Sequence, residues 1–421
     1  MSAPVNSPAR VLMASLVGTT IEFFDFYIFA TAAVLVFPHL FFPASDPTSA
    51  VLQSFATFSI AFFARPLGAA LFGHFGDRIG RKATLVAALM TMGLSTVLIG
   101  FLPGYERIGV AAPLLLALCR FGQGLGLGGE WGGAVLLAAE NAPPSKRSWY
   151  AMFPQLGAPL GFVLSAGSFL ALTETLSNAE FLAWGWRIPF LASILLVLLG
   201  LYVRLRITET PEFQKVVAAR ERVSVPIVVL FRSYKRALLL GTLVALATFV
   251  LFYLMTVFTL SWATTRLGYS REEYLVIQLI GVVFFAATIP LSAWLSDRLG
   301  RRGVLIAATA CTGVFGLFLQ PLLGGGLAGA LAFNIVGLAL MGFNYGPIGA
   351  ALASPFPASV RYTGASMTFN LAGIFGASLA PYIATWLATR FSLAWVGYYL
   401  FAACLLTLAA MLISRDEELS S

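Results

Sequence analysis

The chain has 421 residues, of which 59% are hydrophobic and only 10% charged, at a mean hydropathy of +0.88; a soluble protein carries roughly a quarter charged residues. That composition excludes a soluble globular domain and implies an all-α membrane protein, since apolar runs such as 188–203 lack the alternation of barrel strands. The net charge of +8 does not indicate nucleic acid, because the basic residues sit in short loops between apolar runs, where they set topology.

At roughly 20 residues per crossing, with Pro, Gly and charge as punctuation, twelve transmembrane helices are expected, starting near residues 11, 51, 82, 112, 147, 187, 237, 272, 303, 327, 359 and 394. The run after residues 1–10 is too long and too acidic for a cleaved signal, so the first helix is expected to stay. An even number of crossings puts both termini on one face. With that face cytoplasmic, 19 basic residues lie inside and five outside (Arg107, Arg187, Arg266, Arg271 and Arg390). This is the bias expected of a multi-pass protein of the cell inner (plasma) membrane, with cytoplasmic termini.

An ionisable side chain in hydrocarbon is expensive and is therefore a functional candidate. Helix one carries Glu22 and Asp25, helix two Arg65, and helix four Arg120 and Glu130. Counting the helical rise places Glu22, Asp25 and Arg65 near midplane, with Arg120 in the outer half and Glu130 deeper. Glu22 and Asp25 are three residues apart and should share a face. With three acids against two arginines, one carboxylate lacks a formal partner, and desolvation favours its proton-bearing form. The expectation is that Asp25, with Glu22, binds the coupled proton and that its protonation loosens a pairing with Arg120. The guanidinium is then released to grip an anionic group bidentately. Glu130, in a glycine-dense run, suits a proton relay or a structural lock equally. All five could instead form a fixed network joining helices one, two and four.

Ten residues from Gly73 to Lys82, centred on Asp77, Arg78, Gly80 and Arg81, recur as 293–302 with Asp297, Arg298 and Arg301. Each copy sits between two apolar spans, so the chain is expected to comprise two similar six-helix bundles, 1–206 and 237–421, joined by a cytoplasmic linker, 207–236. The linker is either a helix on the membrane surface or a solvated connector. Asp77 is positioned to approach the positive start of helix eleven, and Asp297 that of helix five near Ser145; both contacts would cross the seam between bundles and close the inner face.

Polar and aromatic groups within spans complete the candidate substrate wall: Tyr27, Gln123, Trp131 and Gln155 in the first half, Tyr253, Gln278, Asn344, Tyr345 and Asn370 in the second. Such groups also serve as helix-to-helix packing and hydrogen bonds. Cys119, Cys311 and Cys404 lack metal-ligand spacing, neither His39 nor His74 pairs with a nucleophile, and no nucleotide loop is present. No metal, cofactor or enzyme chemistry is expected.

The two Asp-Arg-x-Gly-Arg turns resemble the loop motif of the major facilitator superfamily. The runs 18–34, 64–82, 120–134 and 184–190, with their Glu-Phe-Phe-Asp and Gly-Gly-Glu-Trp-Gly-Gly sequences, are similar to its metabolite:proton symporter family. That family includes transporters of shikimate, α-ketoglutarate, citrate, and proline or betaine. The resemblance implies a major facilitator fold, gating at the two turns, and a Glu140–Arg81 pairing in the first half. One departure stands out: where the family places a Glu before Phe-Pro-x-x-x-Arg, this chain has Ser354, ahead of Arg361, which puts the partner of Arg301 in question. The expected function is import of a small, carboxylate-bearing metabolite by proton symport, with substrate, protons and lipid as the partners and a single chain sufficing. Proton-driven export, faintly favoured by Gly157-Ala-Pro159-Leu-Gly161, and a transporter-fold sensor are the alternatives.

Overall fold

The computed structural model describes residues 8–43, 46–79, 81–205, 226–357 and 360–414; the side chains at 8, 10, 73–79, 81–85, 137, 140, 144, 204 and 226 lie outside that description. Helices dominate because every backbone polar group in hydrocarbon must be satisfied locally. The crossings are α1 (Pro8–Leu35), α2 (Pro47–Ile79), α3 (Arg81–Phe101), α4 (Ala111–Gly128 and Trp131–Glu140), α5 (Arg147–Gln155 and Gly157–Thr175) and α6 (Asn178–Glu180, Phe181–Gly185 and Arg187–Leu205). The second set is α7 (Lys235–Tyr253, Leu254–Phe258 and Thr259–Arg266), α8 (Arg271–Leu299), α9 (Arg301–Leu317), α10 (Gly326–Ala353), α11 (Arg361–Ala372, Gly373–Ser378 and Ala380–Arg390) and α12 (Leu393–Ile413).

Among the described residues, nine of these are long and apolar enough to span a bilayer by themselves, and α6 makes a tenth as a pair bent by 43°. Of the other two, α9 has 17 residues, and the apolar stretch of α3 among the described residues runs over Val86–Phe101. The reading from sequence treats the helices as unbroken, whereas α6 starts nine residues earlier than position 187, through a π-helical turn at Phe181–Gly185. Likewise α4 stops at Gly128 and resumes at Trp131, since four glycines around Glu130 remove the side chains that would hold a regular helix.

Packing repeats with an offset of six helices. In the first half α1 packs on α5, α2 on α4 and α3 on α6; in the second, α7 packs on α11, α8 on α10 and α9 on α12. Across the seam, α2 meets α11 and α8 meets α5. The outer helices turn exposed Leu94, Leu98, Leu195, Val314 and Leu405 away from the protein, as a lipid-facing surface requires. The linker 207–236 lies outside the described residues as far as 225. Its described end is a short helix, Pro226–Ser233, whose Leu230 is buried with Phe356, Val360 and Met367 of the second half.

Glycine closes α2 against α4. A Cβ on Gly128 would collide with the Arg65 carbonyl oxygen, and one on Gly124 would collide with that of Ala61. This contact sets the distance between the two helices that carry Arg65 and Arg120. Gly128→Ala is accordingly expected to push them apart and destabilise the protein by about 1–3 kcal/mol. Gly167→Ala, which meets nothing within 4 Å, should leave the melting temperature unchanged; equal melting of the two purified variants would refute the close-packing account.

Candidate functional site

Charged side chains gather around one ring. Phe26 of α1 lies 5.3 Å from Phe58, 5.4 Å from Phe62 and, across the seam, 5.9 Å from Tyr253. The Arg65 guanidinium stands 4.9 Å from the Phe26 centroid, and that of Arg120 stands 4.5 Å from it. Arg65 also covers Phe62, at 4.9 Å, and Arg120 covers Phe29, at 4.1 Å, and Phe58, at 4.8 Å. Aromatic faces are negative, so they stabilise guanidinium ions that water cannot reach.

Beside this cluster, between the halves, is a cavity of about 20 Å³, room for little more than one water molecule. Arg65 lines it with Phe23 from the first half and Phe249, Phe252, Tyr253, Tyr345 and Phe369 from the second. Arg65 is 6% exposed, and its Nε has no hydrogen-bond partner. Trp131 stacks on Phe369 at 3.7 Å and 12°, extending the aromatic wall.

Arg120 is placed differently from the sequence expectation. It does not line the cavity: Nη1 donates to Gln123 Oε1 at 2.9 Å and Nε to the Phe58 carbonyl at 3.3 Å, with the side chain fully buried. Nor does it pair with Asp25, whose Oδ1 takes the Ser193 hydroxyl at 2.5 Å and whose Oδ2 takes that of Thr96 at 3.1 Å. The link between them is indirect, since Gln123 Nε2 donates to Thr96 Oγ1 at 2.8 Å. Glu22 and Asp25 also part company. They are separated by about 60° around α1, enough in a packed bundle to send Asp25 toward α3 and α6 while Glu22 comes within electrostatic reach of Tyr253 and Tyr345 on the far wall.

The buried amides are mostly committed to the protein. Gln155 accepts from Trp131 Nε1 at 3.1 Å and donates to the Tyr345 carbonyl at 3.2 Å. Asn370 donates to the Gly128 carbonyl at 3.2 Å. The Gln155–Tyr345 and Asn370–Gly128 bonds cross the seam. Asn344 joins Thr309 and Thr312 inside the second half. Gln278 donates to the Met255 and Thr256 carbonyls, both at 3.0 Å, in the π-helical turn of α7 where the regular ladder is interrupted. Tyr27 is buried against Phe162 and Phe252, 5.2 and 5.7 Å away, with its hydroxyl unpartnered. Glu130 is buried at the break in α4. Sequence reasoning missed Phe23, Phe249, Phe252 and Phe369, because an aromatic facing the seam looks the same in the sequence as one facing lipid. It also missed Ser193 and Thr96, the partners of Asp25.

Gates close both ends. On the face where the helices begin and end, Asp297 accepts from the backbone amides of Ser148 and Trp149, each at 3.0 Å. This is the first turn of α5, three residues beyond the Ser145 expected, where amide hydrogens have no partner in their own helix. Arg301 donates to Ser354 Oγ at 2.9 Å and to Ser148 Oγ at 3.4 Å, so Ser354 receives the guanidinium from the position where the family carries Glu. The Tyr362 hydroxyl donates to the Gly129 carbonyl. Gly300 holds the α8–α9 turn at φ +92°, a conformation that side chains with a Cβ resist. Of the other expected gating residues, Arg298 stacks on Trp294 of its own helix at 4.2 Å, and Arg361 Nε donates to the Phe356 carbonyl at 2.9 Å. Gly80 and the side chains of Asp77, Arg78, Arg81 and Glu140, with Gly73, lie outside the described residues.

Within the bundle Ser59 of α2 donates to the Ser378 carbonyl of α11 across the seam, and at the opposite face Arg271 Nη1 donates to Asn178 Oδ1 at 2.8 Å. His39 beside this bridge is held below its ordinary pKa by burial and by Arg271, and so stays neutral at pH 7.

Two six-helix bundles with a charged, aromatic cavity at their seam and a closure on either side define a secondary transporter. The chain belongs to the Sugar (and other) transporter family, whose profile matches residues 10–224 and 216–414, and its fold is the major facilitator fold. It is 55% identical to the inner membrane metabolite transport protein YhjE of Escherichia coli K12, over 99% of this chain and 96% of that one. It is 37% identical to the shikimate transporter of the same strain, over 97% and 95%. Among solved structures, the xylose transporter XylE from E. coli in a partially occluded inward-open conformation superposes with a TM-score of 0.74 at 16% identity, covering 96% of each chain. The protein is a metabolite transporter of the major facilitator type, and not an enzyme.

The Asp297 contact predicts its own test. Asp297→Ala removes two charge-assisted bonds at a helix start, about 1–2 kcal/mol, and should open that face. A reporter at Ala353→Cys, buried at the seam beside Leu136, is expected to react with maleimide about tenfold faster in that background. An unchanged rate would remove Asp297 from the gate.

Proposed function

We propose that the protein imports a small carboxylate-bearing metabolite by proton symport, through alternating access between bundles 1–206 and 237–421 in the cell inner membrane, with both termini cytoplasmic. The observation that carries this reading is Arg65, a cation more than nine-tenths buried, with an unpartnered Nε, lining the cavity between the halves. A guanidinium so placed is a ready receptor for a carboxylate. The relatives support the class of solute: one is a shikimate transporter, and another, 32% identical, is the proline/betaine transporter of E. coli K12.

Asp25 is the proton carrier in this reading. Its described partners are two hydroxyls and no cation, so the neutral acid is the form that a desolvated site accommodates most easily. Gaining or losing the proton reorders the bonds to Thr96, then Gln123, then Arg120. Arg120 shares the Phe26 ring with Arg65, which connects the proton site to the substrate arginine through packed groups without an Asp25–Arg120 pair. Glu22 and Glu130 remain accessory acids at the wall and at the α4 break. Asp297, Arg301 and Tyr362 act as the inner gate, and Arg271 with Asn178 as the outer one.

Proteoliposomes loaded with a pH-sensitive dye test the coupling, with labelled shikimate and other organic acids as solutes. Asp25→Asn is expected to abolish accumulation driven by an inward proton gradient, together with the solute-dependent internal acidification, while exchange of labelled for unlabelled solute continues. Accumulation that persists in the variant would show that another group carries the proton.

A further inference from the structure

We propose that the transported solute is a monocarboxylate with a flat, largely apolar body, held, once the halves part to admit it, with its carboxylate on Arg65 and its ring among the aromatic side chains; sugars and dicarboxylates are disfavoured. This inference rests on the transport reading above and narrows it.

Three observations lead to it. First, the walls offer mainly rings: beside Arg65, the side-chain hydrogen-bonding groups of the described lining are the hydroxyls of Thr248, Tyr253 and Tyr345. Phe23, Phe249, Phe252 and Phe369 line the cavity, with Trp131 stacked behind Phe369. The amides that a polyol would need are occupied: Gln155 by Trp131 and the Tyr345 carbonyl, Asn370 by the Gly128 carbonyl, and Gln278 Nε2 by two carbonyls of α7. A sugar would leave its hydroxyls facing ring faces, each a desolvated and poorly matched group. An apolar ring loses nothing there and gains offset or edge contacts.

Second, the cavity presents one guanidinium. Arg65 lines it, whereas Arg120 is sealed beneath Phe26, Phe29 and Phe58 with Gln123 and the Phe58 carbonyl as partners. One fork grips one carboxylate. A second carboxylate on the solute would enter an aromatic wall within electrostatic reach of Glu22, where like charge and lost hydration both oppose it.

Third, the charge of the lining favours an anion. Arg65 is the charged group among the described residues that line the cavity, and Asp25 is turned away to Ser193 and Thr96. A carboxylate entering there meets a cation with no acid in the described lining.

Equilibrium binding to the purified full-length protein tests this without any gradient. Benzoate and cyclohexanecarboxylate are expected to raise the melting midpoint, as a ligand stabilises the form it binds. Benzamide, the uncharged counterpart of benzoate, is expected to need at least about tenfold more for the same shift, since it loses the charge-assisted contact. Succinate and D-xylose should each fall below benzoate. Arg65→Gln should bring benzoate down to the level of benzamide. If that variant does not fold, the benzoate and benzamide pair on the unmodified protein still separates the outcomes. The proposal is overturned if benzamide matches benzoate, if benzoate produces no shift, or if xylose or succinate exceeds it. Failure of the transport reading looks different: benzoate would bind as expected, yet an inward proton gradient would not accumulate it in vesicles. Gradient-driven uptake of xylose or succinate in preference to benzoate would keep the symport reading and sink this one.

Discussion

The placement of two guanidinium ions against one aromatic ring, in the middle of an apolar bundle, is the constraint from which the rest of the structure follows. Isolated cations at that depth are prohibitive. They are tolerated because Phe26, Phe29, Phe58 and Phe62 supply ring faces, and because Gln123 and a backbone carbonyl take the hydrogens of Arg120. That arrangement needs α2 and α4 almost in backbone contact, which is why their meeting edge is glycine at 68, 124 and 128. The same glycine run breaks α4 next to Glu130 and exposes the Gly128 and Gly129 carbonyls, which Asn370 and Tyr362 of the other half then bind. Close helix packing and the seam between halves are thus consequences of one local sequence.

Symmetry and asymmetry divide the work. Helix pairings repeat with an offset of six, and the seam contacts are repeated too, α2 with α11 and α8 with α5. Two similar units can rock about such a seam, exposing either side of a site fixed between them. The chemistry is not repeated: the membrane-embedded acids and arginines are all in the first half, while the second contributes rings and hydroxyls to the shared cavity. Alternation belongs to the repeated frame and recognition to the unrepeated charges. The π-helical turns in α7 and α11, at Leu254–Phe258 and Gly373–Ser378, are the places in the second half where the frame departs from regular helix. Both adjoin residues of the seam, and the carbonyls of the first are satisfied by Gln278.

The helix count, the order of crossings and the ionisable residues were legible in the sequence because each rests on a strong local signal. A charge inside an apolar run is conspicuous, and so is a repeated Asp-Arg-x-Gly-Arg turn. The side chains around each charge were not legible. Direct Asp25–Arg120 pairing was a reasonable expectation from depth alone, yet depth does not specify azimuth, and rotation around α1 sends Asp25 to Ser193 and Thr96. Polarity alone points to the amides Gln155, Gln278, Asn344 and Asn370 as solute contacts, but polarity in hydrocarbon is satisfied as readily by a neighbouring helix. Ser354 is the opposite case: it looked like a missing partner, and the structure shows its hydroxyl receiving Arg301.

By itself, then, the sequence determined that this chain crosses a membrane as helices, that its halves repeat, and that its charged groups lie in the first half, because hydrophobic length, loop charge and repeated motifs are properties of contiguous residues. Only the tertiary structure decided that Arg65 faces the cavity while Arg120 is sealed behind rings, that Asp25 answers to hydroxyls, and that aromatic side chains of the second half line the site. Those outcomes depend on how helices rotate and approach one another. That is set by steric contacts between distant residues, such as Gly128 with Arg65, which no local pattern records.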